Sequence, residues 1–356
     1  MTLLQERPST VFPAAGDHFA DRPAELRGAA RDDVRLLVAR PDRLTHAGFG
    51  DLAKELAPGD LLVVNNSATV PGQLDVTDRS GRPQVLHLAT PLPDGSWVVE
   101  LRTAPAAAEP VLDAAPGEVL TALPGETGVT VELVAPYPRE GSSPLDRGNR
   151  LWRARPTGPL AAHVARHARP IAYGYLDRPY PLEAYQSVFS SVPGSAEMPS
   201  AGRPFTARLV TSLVSRGIAI APVTLHTGVS SQEAGEAPQP ERFEVTAHTA
   251  RMVRSTRAAG GRVVAVGTTV TRALESAVGD DGRVTARAGW TDRVVTPRRP
   301  PQVVSGLLTG WHDPQASHLL LVEAVAGPEL TQRAYDEAVR ERYWWHEFGD
   351  VALFLP

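Results

Sequence analysis

Residues 260–276 read GGRVVAVGTTVTRALES, and this stretch decides the fold class. The apolar, β-branched run from Arg262 to Gly267 is typical of a buried strand. The chain then passes through Gly267-Thr268-Thr269 into a helix predicted over Val270 to Ser276. A buried strand followed at once by a helix is half of a βαβ unit, from which parallel sheets are built. The sequence therefore predicts an α/β layer here.

The same alternation of helix and strand extends in both directions from this stretch. Helical spacing of apolar residues predicts amphipathic helices, and short β-branched runs predict buried strands. Together they imply βαβ units and a mainly parallel sheet. The predicted helices are Phe49–Leu56, 160–168, 206–216, 244–259 and Glu329–Arg342, and the predicted strands are Val34–Val38, Asp60–Val64, 218–225 and Val351–Leu355.

The pattern changes between Gly72 and about Arg155, where short alternating runs are separated by Pro-Asp-Gly, Pro-Gly-Glu and Gly-Ser-Ser-Pro turns. Closely spaced strands with such turns predict a small antiparallel sheet or barrel. With 356 residues the chain has room for two domains. We therefore expect a discontinuous α/β domain over 1–71 and 156–356, which carries the candidate site, and an inserted β-barrel-like domain over 72–155.

Composition narrows the function class. Lys and Arg total 36 against 40 Asp and Glu, a net charge of −4, which argues against a nucleic-acid binder that relies on bulk positive charge. The chain contains no cysteine, which excludes disulfides, thiolate nucleophiles and cysteine-ligated metals. The first residues lack the features of a secretory signal, and no run approaches the about 20 apolar residues that span a bilayer. These features predict a cytoplasmic protein with no membrane partner.

Three strand ends are candidate ligand sites, because ligands of open α/β sheets bind beyond the carboxyl ends of the strands. His226 directly follows the strand at 218–225, where it either lies at the site or only hydrogen-bonds a neighbouring carbonyl and closes the sheet. Gly267-Thr268-Thr269 at a helix start offers N–H groups and hydroxyls to an anion, or Thr269 is a simple N-cap. His312 and Asp313 share a loop suited to proton transfer, or form a plain turn.

Other site chemistries find little support in the sequence. The histidines are scattered, and no H-E-x-x-H motif or close carboxylate cluster indicates a metal. No G-x-G-x-x-G or G-x-x-x-x-G-K-[ST] motif follows a strand, which argues against a dinucleotide or P-loop site. The loop PGSAEMPSAG (193–202) consists mostly of small residues, which allow backbone to approach a ligand closely, as they also do in an ordinary surface loop.

Seven segments, in this order along the chain, match one known family: GDLLVVNNSATVPGQL (59–74), YQSVFSSVPGSAEMPSAGRPFT (185–206), VTLHTG (223–228), GGRVVAVGTTVTRALES (260–276), GWTD (289–292), LLTGWHDP (307–314) and FGD (348–350). Together they resemble the S-adenosylmethionine:tRNA ribosyltransferase-isomerase family of queuosine biosynthesis. The resemblance extends from about Arg31 to the C-terminus. It implies a discontinuous α/β domain interrupted by a small β-barrel.

The resemblance also implies an activity. Enzymes of this family consume S-adenosylmethionine, transfer and isomerise its ribosyl group onto an aminomethyl-deazaguanine in tRNA to form epoxyqueuosine, and release adenine and methionine. The sulfonium acidifies the adjacent C5′ hydrogens, so that a base can remove one before the amine attacks. This chemistry requires no metal and no redox cofactor. The implied partners are therefore S-adenosylmethionine and tRNA.

By matched motif, the resemblance implies which residues form the site. His226 or His312 would move a proton, and Gly267–Thr269 would hold the methionine carboxylate. Arg272 or Glu275 would fix charged groups of the donor. The implied catalytic residues are His226, His312 and Glu275, and the implied substrate-binding residues are Tyr185, Gln186, Pro193, Gly194, Ser195, Ala201, Gly202, Thr206, Gly228, Gly267, Thr268, Thr269, Arg272 and Asp350.

The chain departs from the family pattern at several positions. Residues 65–68 read Asn-Asn-Ser-Ala where the family has Asn-Asp-Thr-Arg, and 203–206 read Arg-Pro-Phe-Thr where it has Leu-His-Phe-Thr. The lost groups suit phosphate or base contacts, so the departures bear on tRNA recognition more than on donor binding. Two alternatives follow: a paralogue that uses the same C5′ chemistry on a small-molecule acceptor or without an acceptor, and a non-catalytic S-adenosylmethionine or RNA binder.

Overall fold

The predicted strand and helix of residues 260–276 are both present in the computed structural model. The strand comprises Val263–Val266 and is fully buried, and the helix comprises Thr268–Ser276. Gly267 joins them at φ +101°, a backbone conformation that a side chain disfavours. The structure describes residues 4, 6–13, 18–124, 128–140, 148–230, 235–314 and 316–356.

Seventeen strands and seven α-helices are defined within these described ranges. The strands are β1 Arg35–Ala39, β2 Leu44–Gly48, β3 Leu61–Asn65, β4 Ser67–Thr69, β5 Gln73–Thr77, β6 Pro83–Pro91, β7 Trp97–Thr103, β8 Val119–Ala122, β9 Thr130–Pro136, β10 Leu151–Thr157, β11 Val192–Ser195, β12 Ala219–Leu225, β13 Glu241–Val245, β14 Val263–Val266, β15 Arg287–Thr291, β16 Gly306–Gly310 and β17 Val351–Phe354. The helices are α1 Leu52–Glu55, α2 Leu160–His167, α3 Ala207–Ser215, α4 Ala247–Ala258, α5 Thr268–Ser276, α6 Ser317–Ala326 and α7 Pro328–Arg340.

A nine-stranded sheet forms the centre of the α/β part, in the order β15-β13-β12-β3-β14-β16-β17-β1-β2. Strands β12, β3, β14 and β16 pair in parallel, whereas the outer pairs β15-β13, β13-β12 and β1-β2, and the inner pair β16-β17, are antiparallel. The sheet is therefore mixed around a parallel centre. The predicted α/β fold with an inserted barrel is confirmed.

Helices cover both faces of this sheet, which explains why the central strand β14 is apolar at every position. Along β14, Val263 and Ala265 pack into one core with α4, α5 and α6. Val264 and Val266 face the opposite core, where Leu209 of α3 lies. Alternate residues of one strand thus pack into two cores, and the strand ends are held in place by packing on both faces of the sheet.

The short alternating runs that begin at Gly72 form a closed barrel of six antiparallel strands, in the order β10-β7-β6-β5-β8-β9. Its strands begin at Gln73 and end at Thr157. Its interior is apolar and includes Trp152, which is 1% exposed. The domain boundaries at 72 and 155 remain a prediction from the sequence.

The sequence patterns differ from the structure mainly at short elements. The helix predicted over 244–259 begins at Ala247, because residues 241–245 extend the sheet as β13 and Thr246 caps the helix by accepting a hydrogen bond from the Thr249 N–H. Strands β2, which reads LTHAG, and β15, which reads RAGWT, contain no apolar β-branched run and are not predicted from the sequence. Within the described residues, no helix is long and apolar enough to cross a bilayer.

Candidate functional site

A cavity of about 750 Å³ lies beyond the carboxyl ends of the parallel strands. Because β12, β14 and β16 run in the same direction, the segments that follow them meet at one edge of the sheet. Thr227–Ser230, Gly267–Thr269 and Gly310–Pro314 all line this cavity. The three candidate strand ends therefore converge on a single site.

The N-terminus of α5 forms one end of the cavity. Gly267 is its N-cap residue, and no side chain caps the helix. Thr268 and Thr269 belong to its first turn and line the cavity. Thr269 is therefore inside the helix and is not its N-cap. The first-turn N–H groups of a helix lack intrahelical acceptors and carry partial positive charge, so this end of the cavity suits an anion.

Arg272 lies one turn further along α5 and is almost fully buried by protein partners. Its guanidinium forms an ion pair with Glu241 and donates to the carbonyls of Gln239 at 2.9 Å and Arg293 at 3.0 Å. The Glu241 Oε1 in turn accepts the Gly228 N–H at 3.0 Å. Burial raises the pKa of Glu241, and the charge of Arg272 opposes that rise. Arg272 therefore holds the wall of the cavity together.

Aromatic rings form a second wall. Tyr175 and His346 stack with ring centroids 4.7 Å apart and an interplanar angle of 16°. Phe19 lies on His346 at 4.5 Å, and Tyr173 lies 6.4 Å from Tyr175 at an angle of 19°. All four rings line the cavity. Such a surface attracts apolar and cationic groups, because ring faces are electron-rich.

Two glutamates accept hydrogen bonds from the hydroxyls of the two tyrosines in this wall. The Tyr173 hydroxyl donates to Glu197 Oε1, and the Tyr175 hydroxyl donates to Glu347 Oε2. Glu197 also accepts the N–H and hydroxyl of Ser230, so both of its oxygens are bonded to protein. Burial, opposed by the Tyr175 hydrogen bond and aided by the charge of Glu197, raises the pKa of Glu347 to about 7.

His312 and His318 form a stacked pair on another side of the cavity, with centroids 4.9 Å apart at 12°. The His312 Nε2 shares a hydrogen bond of 3.0 Å with the Thr309 hydroxyl. Burial, together with His318 and His346, holds the pKa of His312 well below its usual value. Burial and the charge of Arg272 lower the pKa of His318 to about 4. Both rings are therefore neutral at physiological pH.

His226 lies behind the cavity wall, not on it. Its Nδ1 lies 2.8 Å from the Ser67 hydroxyl and its Nε2 lies 2.9 Å from an Arg242 guanidinium nitrogen. Burial and the charge of Arg242 lower the pKa of His226 to about 4. A Cβ added to Gly194 would lie 2.5 Å from His226 Nδ1, so the ring fills the space against that glycine. The next residues, Thr227 and Gly228, are the ones that reach the cavity.

Glu275, Asp350 and Thr206 also lie outside the cavity lining. The Glu275 carboxylate accepts three backbone N–H groups, from residues 302, 303 and 304, at 2.8 to 3.1 Å. Asp350 accepts the N–H of Arg35 and of Trp344, each at 2.8 Å. Thr206 caps α3 and donates to Asp32 at 3.1 Å. All three side chains therefore bind backbone N–H groups and hold the backbone in place.

The remaining predicted residues surround a two-stranded sheet of β4 and β11 behind the cavity. Gln186 pairs its side-chain amide with the backbone of Thr69, at 3.1 and 2.8 Å. The Ser195 hydroxyl accepts the Thr227 N–H at 3.1 Å. Tyr185 packs against Phe348. Of the predicted site residues, those that line the cavity are Ala201, Gly228, Gly267, Thr268, Thr269, Arg272 and His312, and those that do not are Tyr185, Gln186, Pro193, Gly194, Ser195, Gly202, Thr206, His226, Glu275 and Asp350.

Sequence reasoning missed most of the aromatic and acidic wall. Glu197 stands inside the quoted loop PGSAEMPSAG, where a single carboxylate among small residues was an available signal. Glu347 directly precedes the quoted FGD segment. Tyr173 and Tyr175 follow the barrel in a stretch with no recognisable motif, and only the fold brings them to the cavity.

The barrel contributes to the site through a buried ionic cluster. Glu100, which is fully buried, lies 2.7 Å from Arg102 and 3.0 Å from Arg150. Burial would raise the pKa of Glu100, but the arginines and His87 outweigh it and hold the pKa at about 2. Arg150 also donates to the Ser230 carbonyl at 3.1 Å, and Ser230 lines the cavity. The barrel is thereby tied to the cavity wall.

Within the part of the chain that the structure describes, no group of three or more His, Cys, Asp or Glu side chains is placed to hold a metal ion.

Comparison with known proteins adds independent evidence. Residues 11–354 match the family described as queuosine biosynthesis protein. The S-adenosylmethionine:tRNA ribosyltransferase-isomerase of Acidiphilium cryptum is 37% identical over 352 residues, which is 95% of each chain. The enzyme of the same name from Thermosynechococcus vestitus is 33% identical over 348 residues, covering 94% of this chain and 93% of that one.

A solved structure shows the same architecture. The crystal structure of S-adenosylmethionine tRNA ribosyltransferase from Thermotoga maritima superposes with a TM-score of 0.53 at 26% identity, covering 97% of this chain and 99% of that chain. The similarity therefore includes the barrel as well as the α/β part.

Proposed function

The chain belongs to the queuosine biosynthesis protein family, and from that premise we propose that it is an S-adenosylmethionine:tRNA ribosyltransferase-isomerase. It would transfer and isomerise the ribosyl group of S-adenosylmethionine onto an aminomethyl-deazaguanine in tRNA and release adenine and methionine. The observation that carries this proposal is the cavity at the strand ends. It combines an uncapped helix N-terminus, which suits a carboxylate, with an aromatic and acidic wall, which suits a sulfonium.

The methionine carboxylate is assigned to the N-terminus of α5. Thr268 and Thr269 offer backbone N–H groups and hydroxyls there, and Gly267 leaves the approach open because it has no side chain. Arg272 supports this end indirectly, since its guanidinium is bonded to Glu241 and to backbone carbonyls. Arg272 is therefore a positioning residue in this proposal.

The sulfonium is assigned to the wall formed by Tyr173, Tyr175 and His346. Aromatic faces attract a cation, and the carboxylates of Glu197 and Glu347 add negative charge at the same wall. His312 is neutral, so it offers hydrogen bonds to the donor without repelling the positive sulfur. A cavity of about 750 Å³ is within the range of small-molecule sites.

The reaction needs little beyond this arrangement. The sulfonium acidifies the C5′ hydrogens, a base removes one, the amine of the deazaguanine attacks, and the ring rearranges as adenine and methionine leave. Neither a metal nor a redox cofactor enters these steps. His226, Glu275 and Asp350 act in this proposal by fixing Gly194, the 302–304 segment and Arg35, not by touching substrate.

The acceptor is assigned to tRNA because the curated relatives that match nearly the whole chain carry tRNA in their names. The test incubates the protein with S-adenosylmethionine, with and without tRNA that carries the aminomethyl-deazaguanine, and follows adenine and methionine by mass spectrometry. Release that depends on this tRNA supports the proposal. Release with a small amine alone, or no release at all, contradicts it.

A further inference from the structure

We propose that Glu347 is the base that removes the C5′ proton of S-adenosylmethionine, with Tyr175 as its positioning residue. This inference rests on the proposed function and names the group that performs its first step. In that step the C5′–H bond breaks, the proton passes to a carboxylate oxygen of Glu347, and the electron pair stays on C5′ beside the positive sulfur.

The first argument is that the three enclosed glutamates lining the cavity differ in how many of their carboxylate oxygens already bind protein groups. Glu241 accepts the Gly228 N–H with one oxygen and pairs with Arg272 through the other. Both oxygens of Glu197 accept hydrogen bonds, from Tyr173 and Ser230. Glu347 accepts the Tyr175 hydroxyl at Oε2, and no other described residue donates to its Oε1. One oxygen of Glu347 thus remains for a substrate proton.

The second argument is position. Glu347 follows His346, which stacks on Tyr175 at 4.7 Å, so its carboxylate belongs to the aromatic wall that attracts the sulfonium. The acidified hydrogens lie on the carbon bonded to that sulfur. A base at this wall is therefore next to the group that it must deprotonate.

The third argument is basicity. Three influences set the pKa of Glu347: its burial, the hydrogen bond from the Tyr175 hydroxyl and the charge of Glu197. The charge of Glu347 also acts on the neighbouring Tyr185. The three influences place the pKa of Glu347 at about 7, whereas His318 is at about 4 and His312 is well below its usual value. A base with a pKa near the working pH is a better proton acceptor than a weakly basic imidazole.

The test compares Glu347→Gln, Glu347→Asp and Tyr175→Phe with the wild type. Affinity for S-adenosylmethionine is measured by equilibrium dialysis, and turnover is measured with tRNA carrying the aminomethyl-deazaguanine. For Glu347→Gln we expect adenine release to fall by about 10²- to 10⁴-fold, while the Kd rises by no more than about tenfold because the wall that binds the sulfonium loses one negative charge. Glu347→Asp, which keeps a carboxylate, should recover part of the rate.

A pH profile separates a base from a merely structural residue. The wild-type rate should rise with pH through about 7 as Glu347 loses its proton. Tyr175→Phe removes a hydrogen bond that stabilises the carboxylate, so this rise should move to higher pH. Asp94→Asn, in an exposed ion pair on the barrel, is the matched control and should leave the profile unchanged.

The outcomes distinguish this inference from the proposed function. A wild type that releases no adenine with the modified tRNA overturns the function. A wild type that is active while Glu347→Gln keeps more than a tenth of its turnover overturns the assignment of the base and leaves the function standing. An unchanged profile in Tyr175→Phe overturns the positioning role of the tyrosine.

Discussion

The guanidinium carbon of Arg102 lies 5.0 Å from the ring centroid of Tyr173. Arg102 belongs to β7 of the barrel, and Tyr173 belongs to the aromatic wall of the cavity in the α/β part. The same guanidinium donates to the carbonyls of Ala107 at 2.6 Å and Ala108 at 2.8 Å, and Ala108 also lines the cavity. The inserted barrel therefore shapes the cavity directly.

This contact predicts that the Tyr173 ring matters more than its hydroxyl for donor affinity. Tyr173→Leu removes the cation–π partner of Arg102 and one face of the aromatic wall. We expect it to weaken S-adenosylmethionine binding by about tenfold, since a cation–π contact in a desolvated site contributes about 1 to 2 kcal/mol. Tyr173→Phe is the matched variant and should bind within about threefold of the wild type. Equal Kd values for Tyr173→Leu and the wild type in equilibrium dialysis would count against the aromatic wall.

A second prediction concerns acid stability. Glu100 is fully buried and its folded-state pKa is about 2, below the unfolded value of about 4.5, so its stabilisation is present above the unfolded pKa and is lost as pH falls towards 2. The shift corresponds to about 3 kcal/mol of unfolding free energy. Glu100→Gln should be less stable at pH 7 and lose less stability on acidification. Urea unfolding at several pH values measures both.

The control for that experiment is Asp94→Asn, which removes an exposed carboxylate from the same barrel. It should follow the wild-type pH dependence. Parallel stability curves for Glu100→Gln and the wild type would show that the buried cluster does not contribute as described.

A third prediction concerns the fit of His226 against Gly194. Gly194→Ala places a Cβ 2.5 Å from His226 Nδ1, and we expect it to lower the unfolding free energy by about 2 kcal/mol. Gly95→Ala has a positive φ but no neighbour within 4 Å, so it isolates the backbone strain from the clash. Thermal unfolding of both variants measures the difference. Equal losses would mean that the histidine is not packed against the glycine.

A fourth prediction tests the anion site at α5. Thr269→Val keeps the shape of the side chain and removes its hydroxyl, which costs about 1 kcal/mol if that hydroxyl binds the methionine carboxylate. The Kd for S-adenosylmethionine should rise about 3- to 10-fold. Thr269→Ser retains the hydroxyl and should bind almost as the wild type does. A Kd that is unchanged in Thr269→Val would remove this hydroxyl from the donor site.

The fold was largely predictable because periodicity and turn residues are local signals. The strand at 263–266 and the helix after it are encoded by β-branched residues, Gly267 and helical spacing. Short strands such as β2 and β15 were not predictable, since LTHAG and RAGWT contain no apolar β-branched run that would distinguish a strand from a loop. Tertiary pairing, not intrinsic propensity, makes them strands.

The site was predictable only in part, for a similar reason. Strand-end motifs located Gly267–Thr269 and His312, because topology brings strand ends together. They also selected His226, and the family resemblance selected Glu275, but neither signal gave information about the direction of the side chain. The wall of Tyr175 and Glu347 joins residues 172 positions apart, and only the folded chain places them in contact.

The most direct test of the account follows the ribose itself. The protein is incubated with S-adenosylmethionine whose ribose carbons are all ¹³C and with tRNA that carries the aminomethyl-deazaguanine, and the digested nucleosides are analysed by mass spectrometry. The account predicts that the modified nucleoside gains all of the labelled carbons while unlabelled adenine and methionine are released. A nucleoside that gains only a methyl or aminocarboxypropyl group, or no label, would contradict it.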